Sequence, residues 1–275
     1  MSNNLLQGKK GIIFGALDDM SIAWKVAERA HEEGAEIILT NAPVALRMGK
    51  IADLGEKLGA EVVPADATNM DDLNALLDRA EAQFGKIDFV LHSIGMSLNV
   101  RKKRVYTDLN YDWYHKSLDI SALSFHRMIQ TLYERDLMNE WGSIVGLSYI
   151  AAQRTFSKYN DMAEAKALLE SIARSFGYHY GKKRQVRVNT ISQSPTPTTA
   201  GSGVKDFDQM LKFAELGSPL GNATADECAD YTIMMFSDYT RKVTMQNLFH
   251  DGGFSSMGIS EELLDAFRET QHPKS

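Results

Sequence analysis

The sequence predicts an α/β fold: one doubly wound parallel sheet with helices on both faces. Three observations predict it. Short apolar runs alternate with longer stretches of helical period along the chain. The links between them are short, so successive strands need right-handed crossovers and lie parallel, covered above and below. The chain is 275 residues long and 44% hydrophobic, enough for one large core. No repeat, low-complexity tract or Pro/Gly/Ser linker divides it. Residues 1–275 therefore read as a single domain, frayed only at Met1 to Gln7 and Gln271 to Ser275.

Gly11-Ile-Ile-Phe14 is the first strand, and Ile22 to Glu33 repeats its apolar positions with helical spacing. Glu36-Ile-Ile-Leu-Thr40 leads into a helix through Leu58, and Glu61-Val-Val-Pro64 into one from Asp71 to Phe84. Phe89-Val-Leu-His-Ser93 is the fourth strand, followed by a helix from about Ser121 to Tyr133. The apolar run Ser143 to Ser148 is a buried strand, and a long helix starts near Tyr159 and reaches about Tyr180. Val186 to Ile191 is a strand, Phe207 to Leu216 and Ala225 to Phe236 are helices, and Val243 to Phe249 closes the sheet.

Composition excludes several classes of function. A formal charge of −6 argues against nucleic acid or an anionic membrane as the main partner. Cys228 is the only cysteine, so no internal disulfide can form, and its amphipathic setting suggests an inert, half-buried thiol. The seven histidines are scattered without ligand-like spacing, and no metal is expected. The N-terminus is polar and nowhere do eighteen apolar residues run together, which suggests a soluble cytoplasmic protein.

Tyr149, Tyr159 and Lys166 carry the strongest chemical signal. On a helix starting near Tyr159, seven residues advance about 700°, so Tyr159 and Lys166 share a face about 10.5 Å apart along the axis. Tyr149 follows a strand, at the sheet edge where open α/β folds bind ligands. On spacing alone, packing is the commoner meaning of such a pair. The first strand-to-helix turn, Gly15-Ala-Leu-Asp-Asp-Met-Ser21-Ile-Ala, lacks the spaced glycines of the ordinary dinucleotide fingerprint. Gly15 still admits backbone near a phosphate and Ser21 offers a hydroxyl, although a turn glycine and an N-cap explain both. Asp66 after the third strand suits an adenine edge, and Ser93-Ile-Gly95 after the fourth suits a flat ring against backbone. Each alone reads as a cap or a turn. Together they fall on one edge of the predicted Rossmann-type sheet.

These residues resemble the NADH-dependent enoyl-acyl-carrier-protein reductases of bacterial fatty-acid synthesis, within the short-chain dehydrogenase/reductase superfamily. The resemblance runs from about Gly11 to Phe254. It rests on Gly15 with Ser21-Ile-Ala23, Asp66, His92-Ser-Ile-Gly95, Asp119-Ile-Ser121, Leu147-Ser-Tyr149, Tyr159-Asn with Met162 and Lys166, Val186-Arg-Val-Asn189, Ser202 to Phe207 and Asp251-Gly-Gly-Phe254. Tyrosine, six residues, lysine is the discriminating motif, because most of the superfamily has three residues between the two. Position 163, where the shorter spacing puts lysine, is alanine. The decoy Tyr178-His-Tyr-Gly-Lys182 lies at a helix end, with no helix left to carry the pair, and reads as surface.

The resemblance implies reduction of a trans-2-enoyl thioester, with hydride added at C3 and charge moving onto the thioester oxygen. It implies Tyr149, Tyr159 and Lys166 as catalytic residues and Ser97, Tyr149, Tyr159 and Met162 against the substrate. Cofactor contacts fall to Gly15, Ser21, Ile22, Asp66, Ala67, Ser93, Ile94, Gly95, Lys166, Thr196 and Thr198. The resemblance implies NADH, but the turn Thr40-Asn-Ala-Pro43 has neither the acid that grips a free ribose nor a basic pair for a 2′-phosphate, so NADPH stays open. Where the family has Ser-Ala-Gly-Pro-Ile-Arg-Thr, this chain has Ser192-Gln-Ser-Pro-Thr-Pro-Thr198, leading into a substrate lid at about 195–217. The basic residues that usually face an acidic carrier after Lys205 are replaced by Asp208 and Gln209. Docking then falls to Lys205 or to Arg101-Lys-Lys-Arg104, a run whose commoner meaning is solvated surface. A homotetramer is implied through helices around Ile120 to Leu132 and Leu168 to Phe176. A 3-ketoacyl or carbonyl reductase and a silent dinucleotide-binding protein remain as alternatives.

Overall fold

The computed structural model describes residues 2–199 and 206–271. Ser202 to Lys205, including the candidate docking residue Lys205, and part of the expected lid lie outside them. The described residues form a seven-stranded parallel sheet in the order β3-β2-β1-β4-β5-β6-β7. The strands are β1 (Lys10–Phe14), β2 (Glu36–Asn41), β3 (Glu61–Pro64), β4 (Ile87–His92), β5 (Met138–Ser148), β6 (Arg187–Gln193) and β7 (Asn247–His250).

Neighbouring residues of a strand point to opposite faces, and the sequence supplies an apolar side chain for each. Ile12, Val90, Ile144 and Val188 enter one core, with the helices α4 (Met70–Phe84), α7 (Ser124–Glu134) and α8 (Asp161–Arg184) over it. Ile13, Leu91, Val145 and Ile191 enter the other, beneath α1 (Ile22–Glu32), α3 (Ile51–Leu58) and α10 (Ala225–Phe236). The order reverses between β1 and β4, and this opens a crevice beyond their carboxyl ends.

Some boundaries differ from those expected. The helix through Leu58 is two pieces, α2 (Pro43–Met48) and α3, parted at Gly49 and Lys50. Two short helices, α5 (Leu98–Arg101) and α6 (Tyr111–Leu118), precede the expected Ser121 start. A π-helical segment, Asp119–Leu123, joins α6 to α7. Polar and aromatic residues in Tyr111 to His115 mask the periodicity there, and the Asn110 side chain, which accepts from Trp113 N at 3.0 Å, sets the start. Past α9 (Phe207–Gly217), a C-terminal helix α11 (Glu261–Gln271) has no counterpart in the sequence reading. Residues 2–7 are held rather than frayed: Asn3 N and Leu5 N donate to the Glu33 carboxylate at 3.0 and 2.9 Å, and Leu6 is buried. Tyr178 and Lys182 both lie within α8, so a helix does carry the decoy pair, but both side chains face solvent. Cys228 is fully rather than half buried, and burial raises its thiol to about 12. Among the described residues no helix is long and apolar enough to cross a membrane.

Candidate active site

The tips of β1 and β4 meet at the crevice. Gly15 N donates to Thr40 O at 3.0 Å and Ser93 N to Phe14 O at 3.2 Å, extending the ladders one residue past each strand. Gly15 has φ of +102°, and a Cβ there would lie 2.0 Å from Ser93 O, so only glycine fits the turn. Ser21 occupies the N-cap of α1 but makes no capping bond. Its hydroxyl instead accepts from Leu17 N and Asp18 N at 3.1 and 3.0 Å, folding the turn back on itself.

A cavity of about 210 Å³ opens beyond β4, β5 and β6. It is lined by Ile22, Ser93, Ile94, Gly95, Ser97, Tyr149, Tyr159, Met162, Lys166, Thr196 and Thr198 among the expected residues. Gly15, Ser21, Asp66 and Ala67 do not line it. Asp66 closes a turn, accepting from Thr68 N and Oγ1 at 2.9 and 2.7 Å, with its own N–H given to Asp72. Ala67 is buried in the core.

Tyr159 and Lys166 reach this cavity by a route other than the expected shared helix face. α8 begins at Asp161, and Asn160 at its cap has φ 45° and ψ −136°, so Tyr159 sits in the preceding turn. The break is anchored by Asn160 Nδ2, which donates to Arg104 O at 2.8 Å. The Tyr159 ring packs on Tyr149 with centroids 5.1 Å apart, and Tyr149 packs on Phe156 at 5.2 Å. Burial raises both phenols above their ordinary pKa of 10, so they stay protonated.

Lys166 is buried, and its Nζ donates to Leu147 O at 2.7 Å. Burial lowers its pKa to about 8, against the opposing pull of Glu170 one turn on. Gly95 borders the same amine: a Cβ there would lie 3.6 Å from Lys166 Nζ and 3.3 Å from Met162 Cε. Below the floor, His92 bonds Ser124 Oγ at 2.8 Å, and that hydroxyl donates to Ile120 O, so His92 Nε2 carries the proton. Burial first, then the Lys166 charge, drives His92 down to about 3.

The sequence reading missed a buried polar cluster behind the wall. Ser97 Oγ donates to Asp161 Oδ1 at 2.6 Å, and Asn99 Nδ2 to Asp161 Oδ2 at 3.0 Å. Asp161 is fully buried at the first turn of α8, where the helix dipole favours its charge. Ser117 and Ser121, brought onto one side across the π segment, contact Met162 Sδ at 3.8 and 3.6 Å. Phe207 and Met210, three apart on α9, also line the cavity. Both fall within the expected lid of about 195–217, but the sequence reading singled out neither as a cavity residue.

Comparisons with known proteins point to one family. A family model described as enoyl-(acyl carrier protein) reductase matches residues 15–255. The enoyl-[acyl-carrier-protein] reductase [NADH] 1 of Rhizobium meliloti is 35% identical over 260 residues, covering 94% of each chain. The crystal structure of a FabI–NADH complex from Alistipes finegoldii superimposes with a TM-score of 0.94 at 66% identity, covering 94% of this chain and 92% of that one. Another FabI, from Rickettsia felis, is 34% identical over 263 residues, covering 95% of this chain and 100% of its own. Since the matched span takes in the crevice at the switch point, both tyrosines and the buried lysine, the chain belongs to the enoyl-(acyl carrier protein) reductase family.

Proposed function

We propose that the protein reduces the carbon–carbon double bond of trans-2-enoyl thioesters carried on acyl carrier protein, in fatty-acid elongation, with NADH as reductant. The observation that carries this reading is one cavity lined by two protonated phenols, their rings packed at a tilt, and a buried amine. The crevice also suits the cofactor. Gly15 admits nothing larger beside Ser93, and Gly95 leaves open the space next to Lys166. Gly15, Ser21, Ile22, Asp66 and Ala67 would serve its adenosine and pyrophosphate side, and Ser93, Ile94, Gly95, Lys166, Thr196 and Thr198 its nicotinamide side. When bound, NADH supplies the hydride. The turn after β2 holds no cation, and Asn41 Nδ2 is committed to Ala16 O at 2.9 Å, which favours NADH over NADPH.

The remaining work belongs to side chains of this chain. Tyr159 donates a hydrogen bond to the thioester oxygen, where negative charge develops as C3 gains hydride. Its raised pKa keeps it a neutral donor at pH 7. Lys166, fixed by Leu147 O, holds a positive charge beside the ribose position. Tyr149 walls the pocket, and Ser97 and Met162 flank the acyl group. Residues of about 195–217 act as the lid of a single domain, and four copies assemble in the cytoplasm as a homotetramer. NADH oxidation followed by absorbance tests the reading: crotonyl thioester should turn over and acetoacetyl thioester should not. The reverse preference would assign a ketoreductase, and no turnover of either would assign a silent binding protein.

A further inference from the structure

We propose that Arg101, Lys102 and Lys103 form the docking surface for the acidic carrier protein that delivers the thioester, a step that rests on the enoyl-reductase reading above. Arg101 lines the cavity while exposed to solvent, which places it at the rim, and Lys102 and Lys103 continue the exposed turn. Among the described residues, no side-chain hydrogen bond or ion pair is made by any of the three. Arg104, next in the run, differs: it pairs with Asp108 at 2.9 Å and lies over the Trp113 ring.

The three cations stand on a fixed base. Lys102 N and Lys103 N donate to Leu98 O and Val100 O at 2.8 and 2.9 Å, closing α5. Beneath it, Ser97 and Asn99 are tied to Asp161, and Asn99 and Asn110 exchange two further bonds at 3.0 and 3.1 Å. A turn with this much buried anchoring holds its charges in place without ion pairs, so their charge stays available to a partner.

Charge on α9, which also lines the cavity, points the same way. At the start of α9, Asp206 pairs with Lys158 and Asp208 is exposed, so the described residues there bring carboxylates rather than a run of free cations. On a chain of net charge −6, three adjacent unpaired cations at the cavity mouth form a local exception. The carrier fits it twice over. Its surface is acidic, and a phosphodiester at the base of its thioester arm must come to rest near the rim once the acyl end is inside.

The test is the double variant Lys102→Glu/Lys103→Asn; asparagine suits the left-handed φ of 56° at position 103. Crotonyl-carrier protein and crotonyl-N-acetylcysteamine, which lacks both carrier and phosphate, are compared as substrates. For the carrier-bound substrate, kcat/KM should fall roughly tenfold at low salt through KM, and the parent's loss of rate with added salt should flatten. The small thioester and NADH affinity should stay within about twofold of the parent. A carrier-bound kcat/KM that also stays within twofold would overturn the docking surface alone, as would an equal fall on both substrates. A parent inactive on both would overturn the reductase reading and, with it, this proposal.

Discussion

In the proposed mechanism Tyr159 and Lys166 divide the work between a neutral donor and a charge, and substitutions should separate them. Tyr159→Phe removes one hydroxyl aimed at developing charge, so kcat should fall about a hundredfold while NADH affinity stays near normal. Lys166→Ala should instead raise the NADH Kd about tenfold, the value of one charge-assisted hydrogen bond. Unchanged NADH affinity in that variant would remove the lysine from the cofactor site. The pH dependence has a definite sign. A lysine is charged below its pKa, and burial holds this one at about 8, so NADH binding should weaken as pH rises beyond that point. The weakening should vanish in Lys166→Ala, measured by fluorescence titration between pH 6.5 and 9.5. His92, held near 3 by the same burial, stays neutral throughout and adds no competing titration.

The elements show what the sequence made legible and why. The strands are readable because residues buried on both faces must be apolar, and α10 keeps its expected bounds, its start fixed in the structure by a capping box of Thr224 and Glu227. The first turn of α8 was misread for an equally physical reason. Its periodicity extends back to Tyr159, but Asn160 adopts a positive φ that no spacing rule reveals, and a long-range bond to Arg104 holds it there. Asp161 was overlooked because its partners, Ser97 and Asn99, lie more than sixty positions away in sequence. This cluster ties α5 to α8, and removing its centre should be costly. Asp161→Ala should lower stability by about 2–4 kcal/mol, since it strands two buried donors. It should also raise KM for the thioester, because Ser97 loses its anchor. Denaturant unfolding gives the first quantity; a loss below about 0.5 kcal/mol would mean that water or rearranged neighbours replace the carboxylate.

At the scale of the molecule, α8 links the site to whatever covers its outer side. Lys166 and Leu168 lie within one turn of each other, the amine facing the cavity and the leucine only half-buried beside α7. Phe176 is likewise half-buried against His126, with ring centroids 4.9 Å apart, and Leu123 at the head of α7 is 37% exposed. Such a row on two packed helices gains about 25 cal/mol per Å² when a second copy covers it, so the helix pair is the natural seam of the proposed tetramer. Sedimentation should then give four times the 30.7 kDa chain mass. Leu168→Glu/Phe176→Glu should yield smaller species, a midpoint of thermal unfolding several degrees lower and a reduced kcat, because the turn bearing Lys166 loses its support. If the double variant sediments as the parent does, the seam lies on another face; if it dissociates with full activity, the lysine is positioned by its own chain alone.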